Sequence, residues 1–326
     1  MLFLHVATGL SLRQAVARAT ILGWPSISDV ALLKRLRSSG SWLQALTAKM
    51  YQASRFGDRK PEAPTTRRIR AIDATTVEEP GATGTQWRIH YSILLPDVKC
   101  DFYEVTDVTG GESFTRFSVT KGDIILGDRG YAHRAGVAHV IRAGGDVVVR
   151  LNSRSFPLLD ASRNPFGLLS HLRTLEGHSP TAWDVVFQVA DEYFTARLCA
   201  VRKSKEATEA AKRRVRSEAA RKGKHLLPDT LDYAEYVVVL TTVPAEELTT
   251  VQVLELYRMR WQIELVFKRL KSLLQLGHVP KTNDLSARAW IQAKLLIALL
   301  IERLSVEARF FSPWGFEVQS SAFPLA

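Results

Sequence analysis

Apolar residues recur at helical spacing between Leu256 and Leu273, in a stretch without Gly or Pro. This spacing predicts one long helix over residues 257–274, with a continuous apolar face packed against a core. The apolar face consists of Leu256, Met259, Ile263, Val266, Leu270 and Leu273.

A polar stripe lies beside this apolar face. At about 100° per residue, Tyr257, Arg260, Glu264 and Lys271 fall within an arc of about 60°. Because the stripe borders the apolar face instead of opposing it, the pattern is compatible with a place at the rim of a cleft. The same spacing also allows an ordinary solvated face that carries an Arg260–Glu264 pair at i,i+4.

Upstream, the hydrophobic pattern changes to that of β-strands. Residues 67–77 contain a strand with Ile69 and Ile72, and Asp73 lies in its middle or at its end. Residues 87–95 and 99–108 follow with alternating or continuous β-forming residues. These three runs predict an antiparallel meander.

A second β-region begins with Ile124 to Leu126, a short apolar strand bounded by glycines, and Asp128 comes just after it. The pattern then predicts a helix over residues 133–143 and a strand over residues 146–151, a β-α-β unit with parallel strands. Ligands in open α/β sheets bind beyond the carboxyl ends of the strands, where Asp128 falls. An aspartate at this place is also a common helix cap or turn former.

The first part of the chain predicts three helices, over residues 11–23, 27–40 and 41–55, with Ser28 and Ser41 as candidate caps of the last two. Lys34, Arg35 and Arg37 lie on the exposed side of the second helix. This basic module is a candidate DNA-binding unit similar to a helix-turn-helix. A helical cap with a solvated basic face is the alternative. Residues 57–67, polar and with two prolines, predict a linker.

Residues 151–234 differ from their surroundings in hydrophobic pattern and in charge. They predict a β-hairpin over residues 182–201 and then a basic run over residues 202–225, with ten Lys or Arg against three Glu. The run is either a solvated helix face or a contact to phosphates. A return strand over residues 236–244 and a final helix over residues 286–303 are predicted after it.

Charge narrows the class of partner. The chain has 326 residues, a formal net charge of +11 and a sequence pI of about 9.8. Such an excess favours a polyanion, nucleic acid first and an anionic membrane surface second. The longest apolar run, residues 295–301, is too short to span a bilayer. Cys100 and Cys199 match no metal or redox motif, which favours a reducing cytoplasm.

The polar stripe also carries a resemblance. Tyr257-x2-Arg260-x3-Glu264-x6-Lys271, with Trp261 directly after the arginine, resembles the signature of bacterial insertion-sequence DDE transposases, in the group named after insertion sequence four. The run from Gly127 to Tyr131, Gly-Asp-Arg-Gly-Tyr, resembles the second-aspartate motif of the same family. Arg150 matches a basic position that the family often carries at the end of the following strand.

The resemblance implies a fold and a division into domains. The fold class is α/β, with a ribonuclease H-like catalytic core interrupted by a β-rich insertion and preceded by a helical N-terminal domain. Residues 1–60 are then the DNA-binding region, and residues 66–150 and 235–310 form the catalytic core. Residues 151–234 form the insertion with its basic helix.

The resemblance also implies site residues and cofactors. Asp73, Asp128 and Glu264 are expected to be the catalytic carboxylates and the ligands of two Mg²⁺ or Mn²⁺ ions. Residues expected to bind DNA are Tyr257, Arg260, Trp261, Lys271 and Arg150. The expected partners are transposon-end and target DNA, with a homodimer forming on DNA in the nucleoid, and no membrane.

The implied function is cleavage of transposon-end DNA and strand transfer of the freed 3′ hydroxyl into target DNA. A two-metal nuclease without strand transfer and a DNA-binding remnant without catalysis stay open as alternatives. The sequence has no HxxxH, GxSxG or phosphate-binding loop that favours another chemistry.

Overall fold

The computed structural model describes residues 1–54, 65–81, 87–152, 155–223, 225–281 and 283–308. Residues 57–64 of the predicted linker lie outside these ranges. The chain begins with four helices, α1 (Leu2–Thr8), α2 (Leu12–Ile21), α3 (Asp29–Ser38) and α4 (Gly40–Ser54).

Three of these four helices were predicted, and α1 was not. The cap at Ser28 is confirmed, because its hydroxyl accepts a hydrogen bond of 3.1 Å from the Ala31 N–H. The cap at Ser41 is wrong. Helix α4 already includes Gly40, and the Leu43 N–H donates to the Ser39 carbonyl at 2.9 Å.

The predicted meander is confirmed. Strands β1 (Ile69–Val77), β2 (Trp87–Leu95) and β3 (Lys99–Asp107) pair antiparallel in sequence order. The predicted β-α-β unit is confirmed as well, with β4 (Ile124–Gly127), α5 (Arg134–Arg142) and β5 (Asp146–Arg150). Strand β4 runs parallel to both β1 and β5 and lies between them.

The following segment adds three more strands to the same sheet. Its elements are α6 (Leu168–Arg173), β6 (Thr181–Val189), β7 (Glu192–Arg202), α7 (Lys205–Arg221), α8 (Pro228–Tyr233) and β8 (Tyr236–Thr241). Strands β6 and β7 form the predicted hairpin, and the sheet has the order β3-β2-β1-β4-β5-β8-β7-β6. This mixed α/β sheet fits a ribonuclease H-like core, and the hairpin of the expected insertion continues it.

The single helix predicted over residues 257–274 is wrong, because the chain forms two helices there. Helix α9 (Thr250–Met259) and helix α10 (Trp261–Ser272) meet at Arg260, and α11 (Asp284–Ala308) follows. At the junction the Arg260 N–H donates to the Tyr257 carbonyl and the Ile263 N–H to the Arg260 carbonyl, both at 3.1 Å. These are tighter i→i+3 bonds. The break lets α9 pack on β5, β7 and β8 while α10 packs on β1.

Each face of the sheet has its own hydrophobic core. On one face, buried residues of α9, α10 and α11 pack together with Val6, Leu36 and Leu43 of the N-terminal helices. On the other face, Val137 and Val140 of α5 pack with residues of β4, β5 and β8. Helices α1, α3 and α4 contact α11, so the N-terminal helices are part of the same core.

Buried ion pairs fix the start of β1. The Arg70 guanidinium, with a side chain only 2% exposed, lies 2.8 Å from Asp101 and 3.5 Å from Asp123. Arg68 lies 2.6 Å from the Asp123 carboxylate. Because the amino ends of β1 and β4 are joined in this way, the alignment of the two strands at their carboxyl ends is set by buried charges as well as by ladder hydrogen bonds.

Candidate active site

Three parallel strands bring the first candidate residues level with one another across the sheet. Ala71 of β1 pairs with Leu126 of β4, and Leu126 pairs with Val148 of β5. Continuing both registers by two residues sets Asp73 level with Asp128, and Asp128 level with Arg150. Two predicted carboxylates and one predicted DNA-binding arginine therefore form a row across three adjacent strands. Asp73 lies in the middle of β1, Asp128 just after β4 and Arg150 at the end of β5.

Asp128 is held by the turn that follows β4. Its carboxylate accepts a hydrogen bond of 2.7 Å from the Gly130 N–H and caps a short 3₁₀ helix, Arg129–Tyr131. The helix-cap interpretation of this aspartate is thus correct for one of its oxygens. A cap at a strand end does not preclude a ligand role, because a carboxylate has further lone pairs.

Asp73 lies in a more buried setting. Burial is the main cause that raises its pKa to about 7, and the charges of Asp128 and Glu112 raise it further. The Ala74 N–H, which donates to Asp73 at 2.8 Å, and the Arg260 guanidinium act in the opposite direction. A carboxylate with neighbours of the same charge is stabilised by a cation.

Arg260 lies between two of the predicted carboxylates. It donates a hydrogen bond of 3.3 Å to Asp73 of β1 and pairs with Glu264 one turn further along α10. The Arg260 side chain is 14% exposed and that of Glu264 is 58% exposed. The turn at the α9–α10 junction therefore brings Glu264 to the edge of the sheet where Asp73 lies.

The remaining predicted DNA contacts surround this pair. The guanidinium of Arg260 lies 5.9 Å from the ring centroid of Tyr257, whose pKa is raised mainly by burial. Trp261 is 49% exposed at the start of α10, and Lys271 is exposed in its last turn. The structure brings Tyr257 and Arg260 together with the carboxylates, whereas Trp261 and Lys271 point to solvent along the same helix.

A further cation lies beside Arg150. Lys203, just after β7, donates a hydrogen bond of 2.6 Å to the Ala234 carbonyl. Burial lowers its pKa to about 8, and the charges of Arg150 and Arg129 lower it further. The sequence shows Lys203 as part of the basic run but does not show that it lies near Arg150. That proximity follows from the order of the strands, in which β8 lies between β5 and β7.

Two residues of the site were not among the candidates. Glu112, in the loop after β3, is half-buried, and its carboxyl pKa is raised by burial and by the charge of Asp128. Tyr131 is fully buried, and its hydroxyl has no hydrogen-bond partner among the described residues. The Gly-Asp-Arg-Gly-Tyr run contains Tyr131, so that motif was the available signal. No periodicity or spacing singles out Glu112.

The donor set at this edge has the chemistry that a hard divalent cation requires. Carboxylate oxygens are the preferred ligands of Mg²⁺ and Mn²⁺. Within the described ranges, no three His, Cys, Asp or Glu side chains stand in a ready ligand arrangement. The Arg260 guanidinium instead supplies positive charge between Asp73 and Glu264. These carboxylates fit a cation, and their convergence on one stays a prediction.

The chain belongs to the family described as the transposase DDE domain, whose model matches residues 64–301. It is 34% identical over 313 residues to InsL for insertion sequence element IS186A of Escherichia coli (strain K12), covering 94% of this chain and 83% of InsL. It is also 34% identical over 311 residues to the transposase for insertion sequence element IS421 of Escherichia coli, covering 93% and 82%. The resemblance of the sequence to insertion-sequence DDE transposases is confirmed.

Divalent metal ions are used by this family, which agrees with the carboxylate chemistry of the site.

No helix in the described parts of the chain combines the length and apolar character needed to cross a bilayer.

Proposed function

We propose that this chain cleaves DNA at the ends of an insertion element and joins the freed 3′ hydroxyl to target DNA, in a metal-dependent reaction. The observation that carries the proposal is the alignment of Asp73 and Asp128 on adjacent parallel strands, with Glu264 linked to Asp73 through Arg260. Membership of the DDE transposase family supports it.

Asp73, Asp128 and Glu264 would hold the cations, which we propose to be two Mg²⁺ or Mn²⁺ ions. Bound there, they would activate the attacking oxygen and stabilise the leaving one. Asp73 is central because it lies level with Asp128 and within 3.3 Å of the arginine that also pairs with Glu264.

The surrounding side chains would position DNA. Arg150 and Tyr257 lie close to the carboxylates, and Lys271 and Trp261 extend the contact along α10. Lys271 suits a phosphate, whereas an exposed Trp261 suits stacking on an unpaired base. Arg260 can bind a phosphate bidentately only after it leaves at least one of its two carboxylate partners.

Helix α7 is the second proposed contact to the DNA backbone. None of its residues is buried, so it does not contribute a face to the core. Its exposed basic residues include Arg213, Arg214, Arg216 and Arg221. An exposed basic helix is suited to long-range attraction of a polyanion.

The division into parts is also proposed. Residues 1–60 would contact the transposon ends, residues 66–150 and 235–310 would form the catalytic core, and residues 151–234 would form the insertion that carries α7. A homodimer would assemble on the two ends in the nucleoid. The N-terminal helices, packed on α11, would hold end DNA in a constant relation to the catalytic edge.

The deciding experiment is incubation of the purified chain with DNA carrying its flanking element ends and a separate target plasmid. We expect Mg²⁺-dependent end cleavage and covalent joining to the plasmid, both lost in Asp73→Asn. Asp184→Asn, the same change at an exposed residue of β6, is the matched control. Cleavage without joining indicates a nuclease, and end binding without cleavage indicates a DNA-binding remnant.

A further inference from the structure

Glu112 and Asp128 approach each other over a glycine. A Cβ atom added to Gly130 would lie 1.9 Å from Glu112 Oε2 and 3.0 Å from Asp128 Oδ1. Both carboxylate oxygens therefore lie within 3.0 Å of the position that a Cβ atom would occupy at residue 130, and only glycine leaves this position empty. The backbone N–H of the same glycine already donates to Asp128.

The charge of Glu112 is not matched by a direct partner. In the described part of the chain, no side chain or backbone group donates a hydrogen bond to its carboxylate, and no ion pair includes it. Arg88 and His133 act on it only at longer range. Two half-buried carboxylates held side by side repel each other unless a cation or a proton lies between them.

Tyr131 is an independent sign of a ligand at this place. Its ring is packed by Phe114 and Phe117, at centroid distances of 5.5 and 6.3 Å, so the hydroxyl cannot turn to solvent. The hydroxyl lacks a partner among the described residues, although Asp73, Glu112 and Asp128 are close enough for their charges to raise its pKa. A buried donor of this kind is usually satisfied by an ordered group such as a cation-bound water.

The carboxylates of the site differ in how their charge is matched by ion pairs. Arg260 is paired with both Asp73 and Glu264. The charges of Asp128 and Glu112 act on Asp73 in the opposite sense to Arg260 and raise its pKa. In the described part of the chain neither Asp128 nor Glu112 forms an ion pair, so their charge lacks the direct match that Arg260 gives Asp73 and Glu264.

We propose that Glu112 is a fourth carboxylate ligand of the metal site, binding a divalent cation together with Asp128. Tyr131 donates to a water bound to that cation, and Gly130 provides the space that brings the two carboxylates together. The inference rests on the proposed function and adds a residue to its site.

The test is Mn²⁺ binding to the full chain without DNA, measured by calorimetry and by electron paramagnetic resonance of free Mn²⁺. We expect Glu112→Gln to weaken binding at least about tenfold or to remove one bound ion, with its Tm in EDTA and its binding to end DNA in EDTA unchanged. Glu176→Gln, at an exposed residue, is the matched control and should bind as the unmodified chain does.

Gly130→Ala provides a second variant that keeps every carboxylate. Its methyl group would displace the Glu112 side chain, and the affinity for Mn²⁺ should fall as in Glu112→Gln. Mn²⁺ affinity and stoichiometry that are unchanged in Glu112→Gln overturn the inference, whatever Gly130→Ala does.

Asp73→Asn separates this inference from the proposed function. If Asp73→Asn loses Mn²⁺ while Glu112→Gln keeps it, only the role of Glu112 is overturned. If the unmodified chain binds no Mn²⁺ even with end DNA present, both the role of Glu112 and the proposed metal-dependent reaction are overturned.

Discussion

Arg260 lies 3.3 Å from the Asp73 carboxylate and joins the α9–α10 junction to the middle of β1. The same guanidinium pairs with Glu264, so one side chain holds a strand carboxylate and a helix carboxylate together. A metal ion and Arg260 would therefore compete for the same two carboxylates. A DNA phosphate that attracts Arg260 would release them.

Arg260→Ala should change metal binding and DNA binding in opposite directions. Without DNA, removal of the competing guanidinium should tighten Mn²⁺ binding by about tenfold, the equivalent of about 1.4 kcal/mol. Binding to end DNA should weaken, because the variant has no cation at this position to pair with a phosphate. Calorimetry and gel shift on the same protein measure both. Arg258→Ala, at the exposed neighbouring arginine, should leave Mn²⁺ affinity unchanged.

Glu264→Gln should separate catalysis from binding. The substitution keeps side-chain size and helix propensity but removes a charge that would hold a cation, so end cleavage should fall about a hundredfold or more. End binding in EDTA should survive. Cleavage and gel-shift assays decide the outcome, with Glu255→Gln of α9, an exposed glutamate, as control. Normal cleavage by Glu264→Gln would exclude Glu264 from the reaction.

Four Gln substitutions in α7, at Arg213, Arg214, Arg216 and Arg221, should flatten the salt dependence of DNA binding. On duplex DNA, the slope of log K against log salt becomes shallower by roughly 0.9 for each arginine–phosphate pair that the substitutions remove. Fluorescence anisotropy at several salt concentrations measures the slope. Since none of the residues of α7 is buried, the Tm should stay the same. An unchanged slope would indicate that the basic run is a solvated helix face that does not contact DNA.

Asp123→Ala should destabilise the fold strongly. The substitution removes the carboxylate that pairs with Arg68. It also removes one of the two carboxylates that pair with Arg70, whose side chain is 2% exposed. We expect the free energy of unfolding to fall by about 3–5 kcal/mol. Urea unfolding measures the effect. Asp97→Ala, whose partner Lys99 lies 3.5 Å away at the surface, should cost less than about 1 kcal/mol. Equal destabilisation of the two variants would contradict a special role for the buried pairs.

Glu302 should make the stability of the protein depend on pH. Burial raises its folded-state pKa to about 7, against the opposing effects of the Cys100 N–H and Lys99. Between about pH 4.5 and 7 the folded state therefore binds more protons than the unfolded state, and this carboxyl lowers stability as the pH rises.

Glu302→Gln should remove that contribution. Relative to the unmodified chain it should gain roughly 1–3 kcal/mol at about pH 8 and almost nothing at about pH 4. Urea unfolding in EDTA at several pH values measures the difference. Glu176→Gln should show no pH-dependent gain, and a gain of equal size for Glu302→Gln at both ends of this pH range would refute the assignment to this carboxyl.

The sequence by itself determined the elements with strong local patterns. Alternation and β-branched residues identify the strands around Asp73 and Asp128, because side chains of a strand alternate between two faces whatever the strand pairs with. Helical spacing likewise placed Tyr257, Arg260 and Glu264 on one stripe. The motif spacings were enough to identify the family to which the chain belongs.

Tertiary structure alone decided how these elements meet. Helix propensity continues through Arg260, yet the helix breaks there because α9 and α10 pack on different strands. The hairpin of residues 181–202 joins the central sheet through pairing with β8, a long-range contact that local pattern does not encode. Glu112 reaches Asp128 from an irregular loop, over a glycine distant in sequence. Such contacts depend on packing between distant segments, so periodicity determined the parts and packing determined the site.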